Sequence, residues 1–294
     1  MERFAFPPPL SPRDRVHVVA PSSPFPRAEL LRGLAWVRDR YEVVARTSLL
    51  DRNGYLAGSD ESRASALAEA MLDPRTKAIF VARGGYGATR ILERLPWDAF
   101  ARAPKWIVGF SDVTALHAEA TARRIASIHA PNVTGLAAID PWTRACFLRA
   151  VERPRVAIEW PALHVIREGR SEGVLVGGNL SLVCAMATGG RWNAPHGAIL
   201  ALEDVTERPY RLDRMLTSLR MGGHLTHLAG IVVGELTQCE AGPDGVTATD
   251  VVAEITRNLG VPVVFGAPFG HGPRNDAFTI GARARIEGDR VVVD

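Results

Sequence analysis

The sequence predicts an α/β protein in two parts: a first half with helices covering both faces of a parallel sheet, and a second, strand-rich α+β half. Three observations predict it. Short β-branched runs alternate with helix-period segments from about residue 15 to residue 123. The alternation weakens from about 137 to 170, where Pro141, Pro154 and Pro161 interrupt it. Beyond that, short strands dominate and helices are fewer. A chain of 294 residues suits two modest domains, and the expected division is 1–145, a connection over 146–170, and 171–294.

The elements follow in order. RVHVVA (15–20) is a β-branched run ending at Pro21-Ser22-Ser23, whose hydroxyls can cap a helix over about 27–40. Residues 41–45 form a second strand candidate. Residues 62–72 show helical periodicity behind the polar cluster Ser59-Asp60-Glu61-Ser62. AIFVA (78–82) is a strand running into Arg83-Gly84-Gly85-Tyr86-Gly87, with a helical stretch over 88–95. WIVG (106–109) is the next strand, followed by Phe110-Ser111-Asp112 and a helix through about residue 123. In the second half, strands are expected at 174–176, 198–202, 230–233, 261–265 and 290–293, and helices at 180–187, 210–221 and 251–259.

Composition narrows the function classes. With 47% hydrophobic and 23% charged residues the chain has enough apolar material to offset ordering entropy, which excludes extensive disorder. No run approaches the roughly 18–20 apolar residues of a membrane-spanning helix. The opening MERFAFPPPLSPRDRV has three consecutive prolines where a signal peptide needs an apolar helical stretch, so a cytoplasmic location is expected. The net charge is +3, and all but two of the 35 basic residues (Lys77 and Lys105) are arginine. Those arginines are interleaved with acids rather than clustered, so nucleic-acid binding is not expected. Cys146, Cys184 and Cys239 stand far apart without a CxxC pair and read as reduced thiols. The histidines form no HExxH; His224 and His227 lack a companion acid or cysteine, so no metal is expected.

Chemistry in a parallel sheet gathers at the carboxyl ends of the strands, and two turns lie there. In GFSDVTALHA (109–118), Ser111 occupies a sharp turn between strand and helix, the arrangement of a nucleophile elbow. Val113 replaces the second glycine of GxSxG, and a helix cap by Ser111 or Asp112 is the plainer reading. In ARGGYGATRIL (82–92), Arg90 stands where a dinucleotide fingerprint has its third glycine, and no Gly-Lys-Ser/Thr follows. A glycine-lined wall, with backbone N–H groups free to approach a ligand, fits better than nucleotide binding.

Two more segments come from the second half. In LEDVTERPYRLDRML (202–216) a strand ends at Glu203-Asp204, delivering a carboxylate; Arg208, Arg211 or Arg214 offer it a surface ion pair instead. In FGHGPRNDAF (269–278), His271 lies between Gly270 and Gly272, a placement that packing does not require, although a loop histidine without a role has the same look. Serine needs a base to become nucleophilic, and the base needs an orienting partner. Ser111, His271 and Glu203 can fill those roles in a cleft between the halves.

RGGYGATRIL, VGFSDVTALH, GGNLSLV, LEDVTERPYRLDRML and GHGPRNDAFTIGARARI together resemble the LD-carboxypeptidases of serine-peptidase family S66, in order from about residue 14 to about residue 286. The resemblance implies Ser111 as nucleophile, His271 as general base, Glu203 as its orienting carboxylate, and an oxyanion hole from the Gly85 and Asp112 N–H groups. It implies a Rossmann-like layered N-terminal domain, a strand-rich C-terminal domain, a homodimer, and neither metal nor cofactor. The implied substrate is a murein-derived tetrapeptide, whose terminal D-alanine is released at an L,D bond during cytoplasmic cell-wall recycling.

Two alternatives stand beside it. The microcin-immunity branch shares the triad but cleaves peptidyl- or aminoacyl-nucleotide amides, using an aromatic on an inserted loop before the glutamate. Here that interval is short and Trp192 is its only aromatic; ordinary packing is its plain role. A non-catalytic protein that captures muropeptides would use the same cleft. A carboxypeptidase also needs a receptor for a free carboxylate, and Arg83 and Arg90, flanking the glycine-rich turn, offer guanidinium forks.

Overall fold

The computed structural model describes residues 3–294 and contains two sheets. In the first, strands β1 (Arg15–Val19), β2 (Glu42–Ala45), β3 (Thr76–Val81), β4 (Trp106–Gly109) and β5 (Ser127–His129) are parallel, in the order β5-β4-β3-β1-β2. The second holds β6 (Ile158–Trp160), β7 (His164–Arg167), β8 (Arg170–Asn179), β9 (Ile199–Val205), β10 (Gly230–Thr237) and β11 (Val263–Phe265). After β12 (Phe278–Ile280) it is completed by β13 (Arg283–Glu287) and β14 (Arg290–Val293). Strand β12 belongs to the first sheet, pairing antiparallel with β5.

Why the first sheet is covered on both faces can be read from β3. Side chains alternate along a strand, and here both sets are apolar: Ile79 and Val81 enter one core, Ala78 and Phe80 the other. Helices α1 (Arg27–Arg38), α5 (Val133–Leu136) and α6 (Pro141–Glu152) cover one face; α2 (Asp60–Leu72), α3 (Trp97–Arg102) and α4 (Thr114–Ala122) cover the other. Gly33 of α1 sits so close to α5 that a Cβ there would stand 2.0 Å from the Val133 carbonyl oxygen. Gly33→Ala is therefore expected to lower the thermal midpoint by several degrees, through roughly 1–3 kcal/mol of overpacking. Gly135→Ala, which meets nothing within 4 Å, should leave it unchanged in the same calorimetric scan.

The second sheet is more regular than a strand-rich α+β reading suggests. Its centre, β8-β9-β10-β11, is parallel, and α7 (Leu180–Thr188), α8 (Pro209–Met221) and α9 (Ala248–Thr256) make the crossovers. Antiparallel strands occupy the flanks. The stretch 146–170, read as a connection, contains the end of α6 together with β6 and β7. The core is continuous across the halves: Leu116 of α4, Val183 of α7 and Val176 of β8 belong to one buried cluster.

Two local expectations change. Helix α1 begins at Arg27 as expected, but its N-cap is Pro26 and no side chain, Ser22 and Ser23 included, caps it. Pro24 and Pro26 hold the intervening backbone extended, which frees Ser22 and Ser23 for other partners. Residues 88–94 form a 3-10 helix rather than an α-helix, confined between Gly87, at φ +136°, and Pro96.

Candidate active site

The site is built where the carboxyl ends of both parallel sheets meet. Strand β4 stops at Gly109, Phe110 is extended, and Ser111 turns sharply at φ +67° before one 3-10 turn leads into α4. A left-handed conformation costs a non-glycine residue about 1–2 kcal/mol and recurs where function needs it. Asn132 holds the turn from the side: its Oδ1 accepts from the Phe110 N–H at 3.3 Å and its Nδ2 donates to the Phe110 carbonyl at 3.4 Å. From within α4, His117 braces the end of β4. A carbonyl only accepts, so Nε2–H donates to Gly109 O at 2.9 Å, while Nδ1 accepts from Ser127 Oγ at 2.9 Å.

Complete burial pushes the His117 imidazole down to about 4, so it is neutral at pH 7. A histidine with a depressed folded pKa takes up its proton more readily when unfolded. The stability it contributes is thus complete above about pH 6.5 and is lost as pH falls toward 4, by roughly 3 kcal/mol for this group. Urea midpoints should fall across that window, and His117→Gln should show a shallower fall.

The glycine-rich turn after β3 packs directly on Ser111. A Cβ at Gly84 would stand 2.8 Å from Ser111 Cβ, and one at Gly85, at φ +97°, 2.4 Å from Ser23 Oγ. Asp112 ties the turns together: its buried Oδ2 accepts from Ser22 Oγ at 2.6 Å and from the Ala88 N–H at 2.8 Å. Burial pushes this carboxyl above its usual range, against the pull of those two bonds. Ser23 completes the clasp, its N–H donating to Gly84 O at 3.2 Å and its Oγ accepting from the Tyr86 N–H at 3.0 Å. Among the described residues neither the Gly85 nor the Asp112 N–H meets an acceptor.

The second sheet delivers the carboxylate. Alternation along β9 separates Glu203 from Asp204. Asp204 is committed to α7, accepting from Asn179 Nδ2 at 3.0 Å and from the Ser181 N–H and Oγ at 2.9 and 2.8 Å. Glu203, fully buried, instead accepts from His271 Nδ1 at 2.7 Å. Burial raises its carboxyl above the usual range, and His271 opposes that rise. No ion pair joins it to Arg208, Arg211 or Arg214; Arg211 pairs with Glu207. Of the flanking glycines Gly270 is the constrained one, at φ +129° with a Cβ there 3.1 Å from both Glu203 Cβ and Glu235 Cβ, whereas a Cβ at Gly272 would meet only the movable end of the Glu235 side chain.

Ser111 and His271 line one cleft of about 470 Å³, within the range of small-molecule sites. The His271 ring rests on the Phe110 ring with centroids 4.7 Å apart, so the residue before Ser111 carries the imidazole beside it. Glu203 stands behind His271. Ser111 Oγ has no hydrogen-bond partner among the described residues, and such bonds are often long before substrate arrives. Of the two flanking arginines, Arg83 lines the cleft, whereas Arg90 is held bidentately by Asp60 at 2.8–3.0 Å. Trp192 is buried in the core shared by the halves, away from the cleft lining. Among the described residues no group of three or more His, Cys, Asp or Glu side chains is placed to hold a metal ion.

Sequence reasoning overlooked Ser22, Asn132 and His117, which set the geometry of the Ser111 turn. Their signal is weak: Ser22 and Asn132 are ordinary polar residues in loops after strands, His117 is a histidine inside a helix, and only the fold shows what each holds.

The chain is similar to known proteins in sequence and in fold. Models of the LD-carboxypeptidase N-terminal and C-terminal domains match residues 16–130 and 172–286. The murein tetrapeptide carboxypeptidase of Pseudomonas aeruginosa is 35% identical, over 82% of this chain and 82% of that protein. The crystal structure of muramoyltetrapeptide carboxypeptidase from Oxalobacter formigenes superposes with a TM-score of 0.86 at 27% identity, covering 95% of this chain and 97% of that one. A microcin C7 self immunity protein in complex with aspartyl sulfamoyl adenosine reaches a TM-score of 0.85, covering 98% of each chain; at 20% identity it shows a shared fold alone.

Proposed function

The chain belongs to the LD-carboxypeptidase family, serine-peptidase family S66, and from that premise we propose that it hydrolyses the L,D-peptide bond releasing the terminal D-alanine of murein tetrapeptides. It is a serine peptidase by family. The observation that carries the assignment of roles is the 2.7 Å bond from His271 to buried Glu203, in the cleft that Ser111 enters from a left-handed turn.

In this mechanism Glu203 accepts the Nδ1–H of His271, which leaves Nε2 unprotonated and able to take a proton. As Ser111 Oγ attacks the scissile carbonyl carbon, its proton passes to His271 Nε2. The Gly85 and Asp112 N–H groups donate to the developing oxyanion, the role for which pre-positioned, unspent donors are suited. Collapse of the tetrahedral intermediate breaks the C–N bond, and His271 gives its proton to the departing D-alanine amine. Water, deprotonated by His271, then attacks the ester on Ser111, and the tripeptide acid leaves with the Ser111 proton restored.

The same reading places the enzyme in the cytoplasm, in cell-wall recycling, as a homodimer. No helix among the described residues is long and apolar enough to cross a membrane, and Cys146, Cys184 and Cys239 are free thiols. Trp192 lends the microcin-immunity alternative no support, because it is packed in the core and does not line the cleft.

A substrate panel tests the proposal. The tetrapeptide ending in D-alanine should be hydrolysed, and its epimer ending in L-alanine should be hydrolysed at least ~100-fold more slowly. Preferential turnover of an aminoacyl sulfamoyl nucleotide would overturn the assignment.

A further inference from the structure

An exopeptidase must tell a chain end from an internal peptide, and the group that marks a chain end is the free carboxylate beside the scissile bond. We propose that Arg83 forms the subsite that receives the substrate's terminal carboxylate; this rests on the carboxypeptidase reading of the cleft.

The position is right. In the released residue only the amide nitrogen and one Cα separate the carboxylate from the scissile carbonyl carbon, so the carboxylate oxygens lie within about 5 Å of the carbon that Ser111 attacks and their receptor one hydrogen bond, about 3 Å, beyond. Arg83 immediately precedes Gly84, the residue whose missing Cβ lets the backbone approach Ser111 Cβ. Its long side chain lines the same cleft as Ser111 and His271.

The charge is also right. Arg83 is the one permanent cation among the described residues lining the cleft, and no carboxylate lines it. The other nearby arginines are engaged: Arg63 and Arg90 both pair with Asp60, and Arg274 pairs with Asp276. Arg83 has no acidic partner among the described residues. Its single bond runs from Nη1 to the Pro24 carbonyl at 3.1 Å. Pro24 lies in the stiff segment that Ser22 and Ser23 clasp to Asp112 and Tyr86. One donor thus anchors the guanidinium to a rigid support, while Nη2 and Nε keep the paired N–H geometry that fits a carboxylate bidentately.

The experiment compares kcat/KM for a tetrapeptide with a free terminal D-alanine and for the same peptide as its terminal amide, using wild type, Arg83→Ala and Arg83→Lys. Wild type should favour the acid by roughly 10–100-fold, the range of a charge-assisted pair. Arg83→Ala should bring the ratio to about one, chiefly by raising KM for the acid, and Arg83→Lys should restore part of it. Thermal melts report whether each variant is folded. A wild type that favours the acid while Arg83→Ala keeps that preference overturns the subsite alone. A wild type that cleaves neither peptide overturns the carboxypeptidase reading and the subsite with it.

Discussion

Replacing His271 by alanine is expected to reduce kcat by about six orders of magnitude while leaving the fold intact. The size of the effect follows from the proposed chemistry. Without a base the Ser111 hydroxyl attacks as a neutral alcohol, and without an acid the D-amino acid departs as an amide anion. Oxyanion donors and substrate binding remain, so residual turnover should still exceed the uncatalysed rate. The fold should tolerate the change because His271 lies in a loop with its side chain one-fifth exposed, its contacts being Glu203 and the Phe110 ring. Single-turnover kinetics with a thermal melt would check both halves of the expectation. A variant with more than a hundredth of wild-type turnover would remove His271 from the mechanism.

The second large effect is at Glu203. Glu203→Gln keeps the shape but offers an amide that can donate to Nδ1, holding the imidazole in the tautomer whose Nε2 already bears a proton. A loss of about 10⁴ in kcat is expected, on the scale of the equivalent change in other triads. Stability should not fall with it. The Glu203 carboxyl is buried and already pushed above its ordinary range by desolvation, and its Oε1 has no partner among the described residues. A neutral isostere relieves that desolvation. The signature is thus a crippled enzyme with a thermal midpoint within a few degrees of wild type. Equal loss of activity and stability would indicate a merely structural carboxylate. Asp204 is no substitute, since its oxygens are taken by Asn179 and Ser181 on the opposite side of β9.

How far the sequence disclosed this site depends on which interactions are local. Strands β1, β3 and β4 were legible because burial on both faces writes itself as an apolar run, and the turns at their carboxyl ends were legible because glycine and serine interrupt such runs. His271 stood out because two glycines flank it, and the close approach of Glu203 and Glu235 calls for the first of them, Gly270. Strands β5, β6, β7, β12 and β13 were not legible. They are three to five residues long, and most lie at or near sheet edges, where pairing partners rather than side chains decide the structure. The return of Phe278–Ile280 to the first sheet, which fastens the two halves beside the cleft, has no local signal at all. The Ser22–Asp112 bond spans 90 residues; a helix cap was the nearer guess for such a serine, and two prolines made it wrong.

In the proposed mechanism Ser111 is the nucleophile that releases D-alanine from a murein tetrapeptide. The most direct measurement is chromatographic quantitation of D-alanine from the purified peptide, with wild type and Ser111→Ala side by side at matched concentration. D-alanine should accumulate with wild type alone, in amounts equal to the tripeptide formed. Comparable release by folded Ser111→Ala would remove Ser111 as the nucleophile, and none by either folded protein would rule out the tetrapeptide as substrate.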